Sequence, residues 1–421
     1  MGWKNHPRTV LLALLATHVL AHIDRNMLLG FAPQITRDLA LNNAQYGFLT
    51  GAVWVLSFGV MAVLLGSIAD RFSRTRVMAA GILIWSACTA ASGWAHNFEQ
   101  MAAARFFVAS GEAALVPAAV SLLTELFDER RRGGAMGVFF MGIPLGLGLA
   151  FALAGLLGAA LGWRGSFHAL GVVGVGVGVA ALWFKDHRVE RAEAERGAPL
   201  LHQLRNVLVL LRGNSTVAMT VIGFVFLHLA FVGITFAQLW LVRERGVDAA
   251  VAARTVGLLG IVFGVLGTLI GGVLSDRLAR RLPGGHAGFI VLLVLICGPL
   301  MIASRFAGAG SALLYVGLCA SFFLPLAAYG PSIALIQGLT PDAMRATITG
   351  ITMLLINVFA IAIGNLVAGA VSDRLVAAGS QHALTQVLIA TDVLVIVGAV
   401  FYALAARGPR IAAAPTGVVA H

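Results

Sequence analysis

Gly66-Ser-Ile-Ala-Asp70-Arg71-Phe-Ser-Arg74-Thr-Arg76 lies between two long apolar runs. Some 200 residues later Gly271-Gly-Val-Leu-Ser-Asp276-Arg277-Leu-Ala-Arg280-Arg281 lies between two more. A short charged hairpin that recurs once per half marks a membrane protein built from two similar halves. The surrounding chain has 421 residues, 59% hydrophobic and 11% charged, with a mean hydropathy of +0.92. A soluble domain carries roughly 25% charged residues, so lipid is the solvent for this one. Its 50 glycines suit membrane helices that pack closely. Cys88, Cys297 and Cys319 fall inside apolar runs and read as small core residues, not a disulfide framework.

The net charge of +11 raises nucleic acid as a partner. The arginines sit in short loops between apolar runs, however, and form no soluble basic face, so that class is excluded. No phosphate-binding loop, metal-ligand spacing or catalytic triad is present. The reading is therefore neither an enzyme nor a pump, with no cofactor and no metal.

Twelve runs are long enough to span a bilayer, near 9–31, 47–68, 77–95, 101–123, 135–159, 166–184, 217–241, 254–274, 287–305, 311–336, 346–371 and 384–405. All are expected to be helices, because an isolated strand leaves its backbone unsatisfied in lipid. The fold class is thus an all-α membrane protein of two pseudo-symmetric six-helix bundles. The first bundle is 1–185, a cytoplasmic linker with an amphipathic helix is 186–216, and the second bundle is 217–421. With the N-terminus inside, the inner segments hold twenty lysines and arginines and the outer ones seven. The positive-inside rule then puts both termini in the cytoplasm of a plasma membrane, the inner membrane in a bacterium. The molecule is read as a monomer.

Two spans carry charge at membrane depth, where it costs about 2.5–3.5 kcal/mol on insertion scales and so usually faces a working cavity. Span one holds Asp24-Arg25. His18, His22 and Arg25 share one helical face, and Asp24 points about 100° away. Span four holds Arg105 and Glu112, two turns apart on one face. The two spans run in opposite directions, which sets Arg25 and Arg105 in the outer half and Glu112 nearer the middle. An acid beside arginines can alternate between a neutral protonated form and an ion pair, as proton coupling requires. The alternative is a static buried salt bridge. Likewise, the hairpin residues Asp70, Arg71, Asp276 and Arg277 are either ordinary loop charge or a latch between the halves. Their recurrence in matching loops favours the latch.

The paired hairpins with twelve spans and a long central loop resemble the major facilitator superfamily over the whole chain. Gly66, Asp70, Arg71, Arg74 and Arg76 match its loop 2–3 signature, and Gly271, Asp276, Arg277 and Arg280 form the degenerate second copy. The resemblance implies alternating access by rocking of two bundles. Asp24-Arg25, Arg105-x6-Glu112-Ala, Phe140-Met-Gly-Ile-Pro144-Leu-Gly146-Leu-Gly148 and Gly162-Trp163-Arg164 resemble the spinster branch in particular, whose animal members move lysophospholipids or sphingosine-1-phosphate. On that resemblance Asp24, Arg25, Arg105 and Glu112 correspond to substrate and proton residues. The span-one and span-four motifs also resemble the organic anion–cation symporter branch.

The second half is sparser in polar residues: His228, Gln238, Tyr329, Gln337, Asn357 and Asn365. A cavity with one charged and one greasy wall suits an amphipathic anion. The reading is a proton-coupled secondary transporter in which Glu112 and Asp24 handle the proton. Arg25 and Arg105 attract the head group, His22 tunes the network, and Phe322, Phe323, Tyr329 and Asn357 line the second wall. A symporter of small organic anions and a multidrug efflux antiporter are the alternatives.

Overall fold

The computed structural model describes residues 6–57, 59, 61, 74–183, 200–341 and 344–407. The hairpin residues Gly66, Asp70 and Arg71 lie outside that set, and of Arg74 only the backbone is described. Among the described residues, nine helical stretches are long and apolar enough to cross a membrane. One of them, Arg131–Leu182, makes two passes, because the backbone turns at Gly162 with φ 62° and ψ −177°. Only glycine adopts such a conformation without strain. Two further passes complete twelve: α1 (Pro7–Gly30), whose His18, His22, Asp24 and Arg25 lower its hydropathy, and α3 (Asn43–Gly47), which continues through a π turn at Phe48–Ala52. Between them the short α2 (Ala32–Asp38) runs across the end of the bundle.

In the first half follow α4 (Arg74–Ser92), α5 (Phe98–Glu112), α6 (Leu115–Leu126), α7 (Glu129–Phe140) and α8 (Gly142–Leu182). The chain then reaches α9 (Leu200–Gly213). Its Val207 is buried in the second half's core, while Leu208, Val209, Arg205 and Arg212 are exposed. The second half holds α10 (Ser215–His228), α11 (Ala230–Arg243), α12 (Ala249–Ala279), α13 (His286–Ser304), α14 (Ala312–Gly338), α15 (Arg345–Leu355), a second π turn (Ile356–Ile363), α16 (Gly364–Ala377) and α17 (Ala383–Arg407). Side-chain caps start several of these helices: Asn97 accepts from Gln100 N–H, Asn214 from Val217 N–H and Ser311 from Leu314 N–H. Each satisfies an amide that a helix start leaves free.

The end of the bundle holding Pro7, the Asp276 hairpin and Arg407 is the near end; the end holding α2, Gly162 and Arg243 is the far end. At the far end, Trp163 Nε1 donates to Asp38 Oδ2 at 2.9 Å, and Arg164 reaches both Asp38 (3.3 Å) and the Ala95 carbonyl (3.0 Å). The Gly162-Trp163-Arg164 motif thus ties the turn between passes five and six to α2 and to the loop after α4. These donors, the Trp163 indole foremost, hold the Asp38 carboxyl below the usual carboxylate range.

The second half contains an ion pair that the sequence reading missed. Arg305 Nε lies 2.9 Å from Asp392 Oδ2, and the two side chains are 1% and 0% exposed. By sequence Arg305 belongs to an outer loop. Instead it folds inward after α13 to meet an acid in the apolar run of α17, with its guanidinium 4.8 Å from the Trp240 ring. Trp240 donates to Thr385 Oγ1, and Glu244 accepts from Leu384 and Thr385. Passes seven, nine and twelve are pinned together there. Removing one partner of such a pair strands a buried charge, at about 3–5 kcal/mol. Arg305→Leu should therefore lower the melting temperature of the purified protein markedly. Arg305→Leu with Asp392→Leu should recover most of the loss, because a well-packed apolar pair is often neutral in exchange. Thermal unfolding in detergent reads both.

Candidate functional site

The charges of passes one and four meet around three neighbouring side chains. Arg105 is buried, and its guanidinium donates to two backbone carbonyls of α1, Asp24 O at 3.0 Å and Arg25 O at 2.8 Å. In this state it therefore clamps α1 instead of pairing with Glu112. Consecutive residues of a helix point about 100° apart, so a clamp at this step of α1 sends Asp24 and Arg25 to different neighbours.

Arg25 stacks over Trp54, its guanidinium carbon 3.8 Å from the ring centroid. Trp54 in turn donates its indole N–H to Glu112 Oε2 at 3.2 Å. One tryptophan of pass two thus serves the cation of pass one through its face and the acid of pass four through its edge. Glu112 Oε1 is buried without a hydrogen bond. Arg25 and Glu112 make no direct ion pair among the described residues, so Trp54 holds the two charges close but apart.

Asp24 is fully buried and points toward α4, where Trp85 and Thr89 face it. Its carboxylate oxygens make no hydrogen bond of ordinary length, and the two donors that face them, Trp85 Nε1 and Thr89 Oγ1, have no other partner. Trp85 reaches that place because α4 and α5 approach backbone to backbone: a Cβ on Gly81 would sit 2.6 Å from Gly111 O, and one on Gly111 2.9 Å from Trp85. His22 and His18 pack edge to face at 4.8 Å against pass five, where Gly142 and Gly146 leave room for them. His18 Nδ1 hydrogen-bonds to Phe139 O at 2.9 Å.

The second wall is less uniform than the sequence suggested. Tyr329 is 41% exposed; its ring meets Phe224 and His228, and its hydroxyl lies 3.3 Å from Met353 Sδ. Asn357 donates to Met353 O. Phe323 is partly buried, but Phe322 is only 1% exposed and packs on Gly260 of α12. Phe322 therefore does not line a cavity in this state: α12 and α14 pack so tightly that its ring fills their interface. At the near end Asp276 and Arg277 are exposed, and Asp276 lies 4.0 Å from His286 Nε2. A groove of about 440 Å³, almost wholly apolar, runs between α1, α4 and the second pass of α8, past Leu14, Leu20, Met78 and Val177.

The sequence reading missed Trp54 and Trp85. Both are tryptophans inside apolar runs, and nothing in their spacing separates them from membrane-core aromatics. The fold is that of the major facilitator superfamily, and the chain belongs to it: the family's sequence model matches residues 14–365. An efflux pump of this superfamily from Mycolicibacterium smegmatis is 31% identical over 95% of the chain and 92% of its own length. The spinster protein of Drosophila melanogaster is 26% identical over 68% of the chain and 48% of its own length. Among solved structures, a bacterial homologue of the human lysosomal transporter spinster, in an inward-facing and unoccupied conformation, aligns with a TM-score of 0.82 at 23% identity, over 95% of this chain and 97% of that one.

Trp54 gives a graded test. Trp54→Phe keeps a face for Arg25 and loses the hydrogen bond to Glu112; Trp54→Ala loses both. A cation–π contact contributes about 0.5–2 kcal/mol. Trp54→Ala should therefore transport several-fold more slowly than Trp54→Phe in proteoliposome uptake, with both folded by size-exclusion profile.

Proposed function

We propose that this protein is a proton-coupled transporter of an amphipathic anion, such as a single-chain phospholipid, working by alternating access. The observation that carries this reading is the Arg25–Trp54–Glu112 knot beside the buried, unpartnered Asp24, set against a second half whose described wall offers aromatic rings and single amides. The knot concentrates two acids and two arginines in one bundle. An unpaired carboxylate in a low-dielectric site is costly when ionised, so Glu112 and Asp24 exchange protons as the site opens and closes. Arg25, held on an aromatic face with no carboxylate partner in contact, is the cation that receives the head group. Arg105 supports it by fixing α1. The hydrocarbon chain lies along pass ten near Phe323 and Tyr329, with Phe322 reaching it only if α12 and α14 separate. The far end faces outward, as the positive-inside rule assigns it, and the near end, with Pro7, Arg407 and the Asp276 hairpin, faces the cytoplasm. The likeness to a named efflux pump supports a second reading, export of amphipathic compounds by antiport.

Two measurements test this. Glu112→Gln should abolish uptake driven by a pH gradient in proteoliposomes while ligand binding persists; unchanged pH dependence removes Glu112 from the mechanism. A chain-length series of lysophospholipids should bind more tightly with each added carbon, since burying a methylene contributes about 0.8 kcal/mol. Affinity that is flat with length, or best for a small hydrophilic anion, replaces the lipid reading with that of an organic anion symporter.

A further inference from the structure

The spacing G-x-x-x-D-R occurs once more in the chain, at Gly369-Ala-Val-Ser-Asp373-Arg374, in the last turns of α16. This copy lies at the far end, opposite the Asp276 hairpin, and its contacts cross between the halves. Asp373 Oδ1 accepts from Asn43 N–H at 2.9 Å and Oδ2 from Ala44 N–H at 2.8 Å. The third amide of that turn, Gln45 N–H, donates to Asn42 Oδ1 at 2.7 Å, and Gln45 Oε1 accepts from Asn42 N–H in return. The start of pass two is thus fully capped, but two of its four free amides are capped by the other half of the molecule.

Three further hydrogen bonds surround the carboxylate. Asn43 Nδ2 donates to Ser372 Oγ at 3.1 Å. Arg243 of α11 donates to Asn43 Oδ1 at 2.9 Å and to Thr36 Oγ1 at 2.7 Å. Below them passes two and eleven run backbone to backbone. A Cβ on Gly369 would meet Asn43 O, one on Gly47 would meet Asn365 O, and one on Gly51 would meet Ile361 O, each closer than any real contact. The pairs 43/369, 47/365 and 51/361 step by one helical turn along both helices. A further hydrogen bond between the halves lies close by at Tyr46, whose hydroxyl donates to Thr235 O at 2.8 Å.

We propose that the third copy is a far-end latch: the Asp373 carboxylate, by capping pass two from pass eleven, holds the molecule in the state closed at the far end. Opening that end strips two amides and a carboxylate of their partners at once. The cap is charge-assisted at a helix N-terminus, where an anion is favoured. The seam's glycines let the backbones come near enough for the bonds to form. This inference depends on the two-bundle fold and not on the substrate.

The test uses spin labels on the full chain in lipid nanodiscs, with Cys88, Cys297 and Cys319 replaced by serine. One pair, at Arg37 and Ala378, reports the far end, and one, at Arg131 and Arg281, the near end. Asp373→Asn should raise the population of the long far-end distance at least five-fold and shift the near-end distance shorter in step. Gly369→Ala keeps the carboxylate and wedges the same seam; it should move both distances in the same directions. Unchanged distributions overturn the proposal. So does a far-end distance that lengthens while the near-end distance stays fixed, which would be local fraying and not release of a latch.

Discussion

One guanidinium organises the charged half of this transporter. Arg105 reaches from pass four to the carbonyls of Asp24 and Arg25. A helix interior normally leaves its carbonyls to its own amides, so a second donor there fixes the depth and the rotation of α1. Rotation is what matters, because Asp24 and Arg25 are adjacent in sequence and must serve different neighbours. Turned one way, Asp24 faces Trp85 and Thr89 inside the bundle; Arg25 then lies on Trp54. The lipid environment makes the arrangement strict, since a charge that slipped toward hydrocarbon would cost several kcal/mol.

The two halves manage buried charge differently. The first gives its acids no ion-pair partner in contact: Glu112 has the Trp54 indole N–H, and the Asp24 oxygens make no hydrogen bond of ordinary length. The second closes its ion pair firmly: Arg305 and Asp392 touch at 2.9 Å, and Trp240, Thr385 and Glu244 brace the helices around them. A tight pair between helices of one bundle rigidifies that bundle. Loosely held acids can change protonation without breaking the packing. The far-end seam of passes two and eleven is where the two halves meet. The backbone contacts of Gly47, Gly51 and Gly369 make that seam an all-or-none surface, because a few tenths of an ångström decide whether its hydrogen bonds form.

Much of this was legible in the sequence. The twelve passes follow from the apolar runs. The charged residues of passes one and four stand out because lipid makes them rare. The rest was hidden for physical reasons. Arg105 chose carbonyl partners, and backbone acceptors leave no trace in sequence. Phe322 faces α12 because Gly260 opposite it leaves a space, a pairing between distant segments. Asp392 could have been flagged as an acid inside an apolar run, but its partner Arg305 reads as loop charge until the chain is folded. The Asp373 motif repeats a spacing that the two hairpins had already displayed. It does not stand out there because it ends a helix at the opposite face of the membrane and not a hairpin between two spans.

The central claim is that movement of an anionic amphiphile is tied to movement of protons through the first bundle. Proteoliposomes loaded with a pH-sensitive dye, with no initial pH gradient, test it directly when a lysophospholipid gradient is imposed across them. The account predicts a change in internal pH that appears only with the protein present and collapses with a protonophore. Substrate movement with no change in internal pH would contradict it.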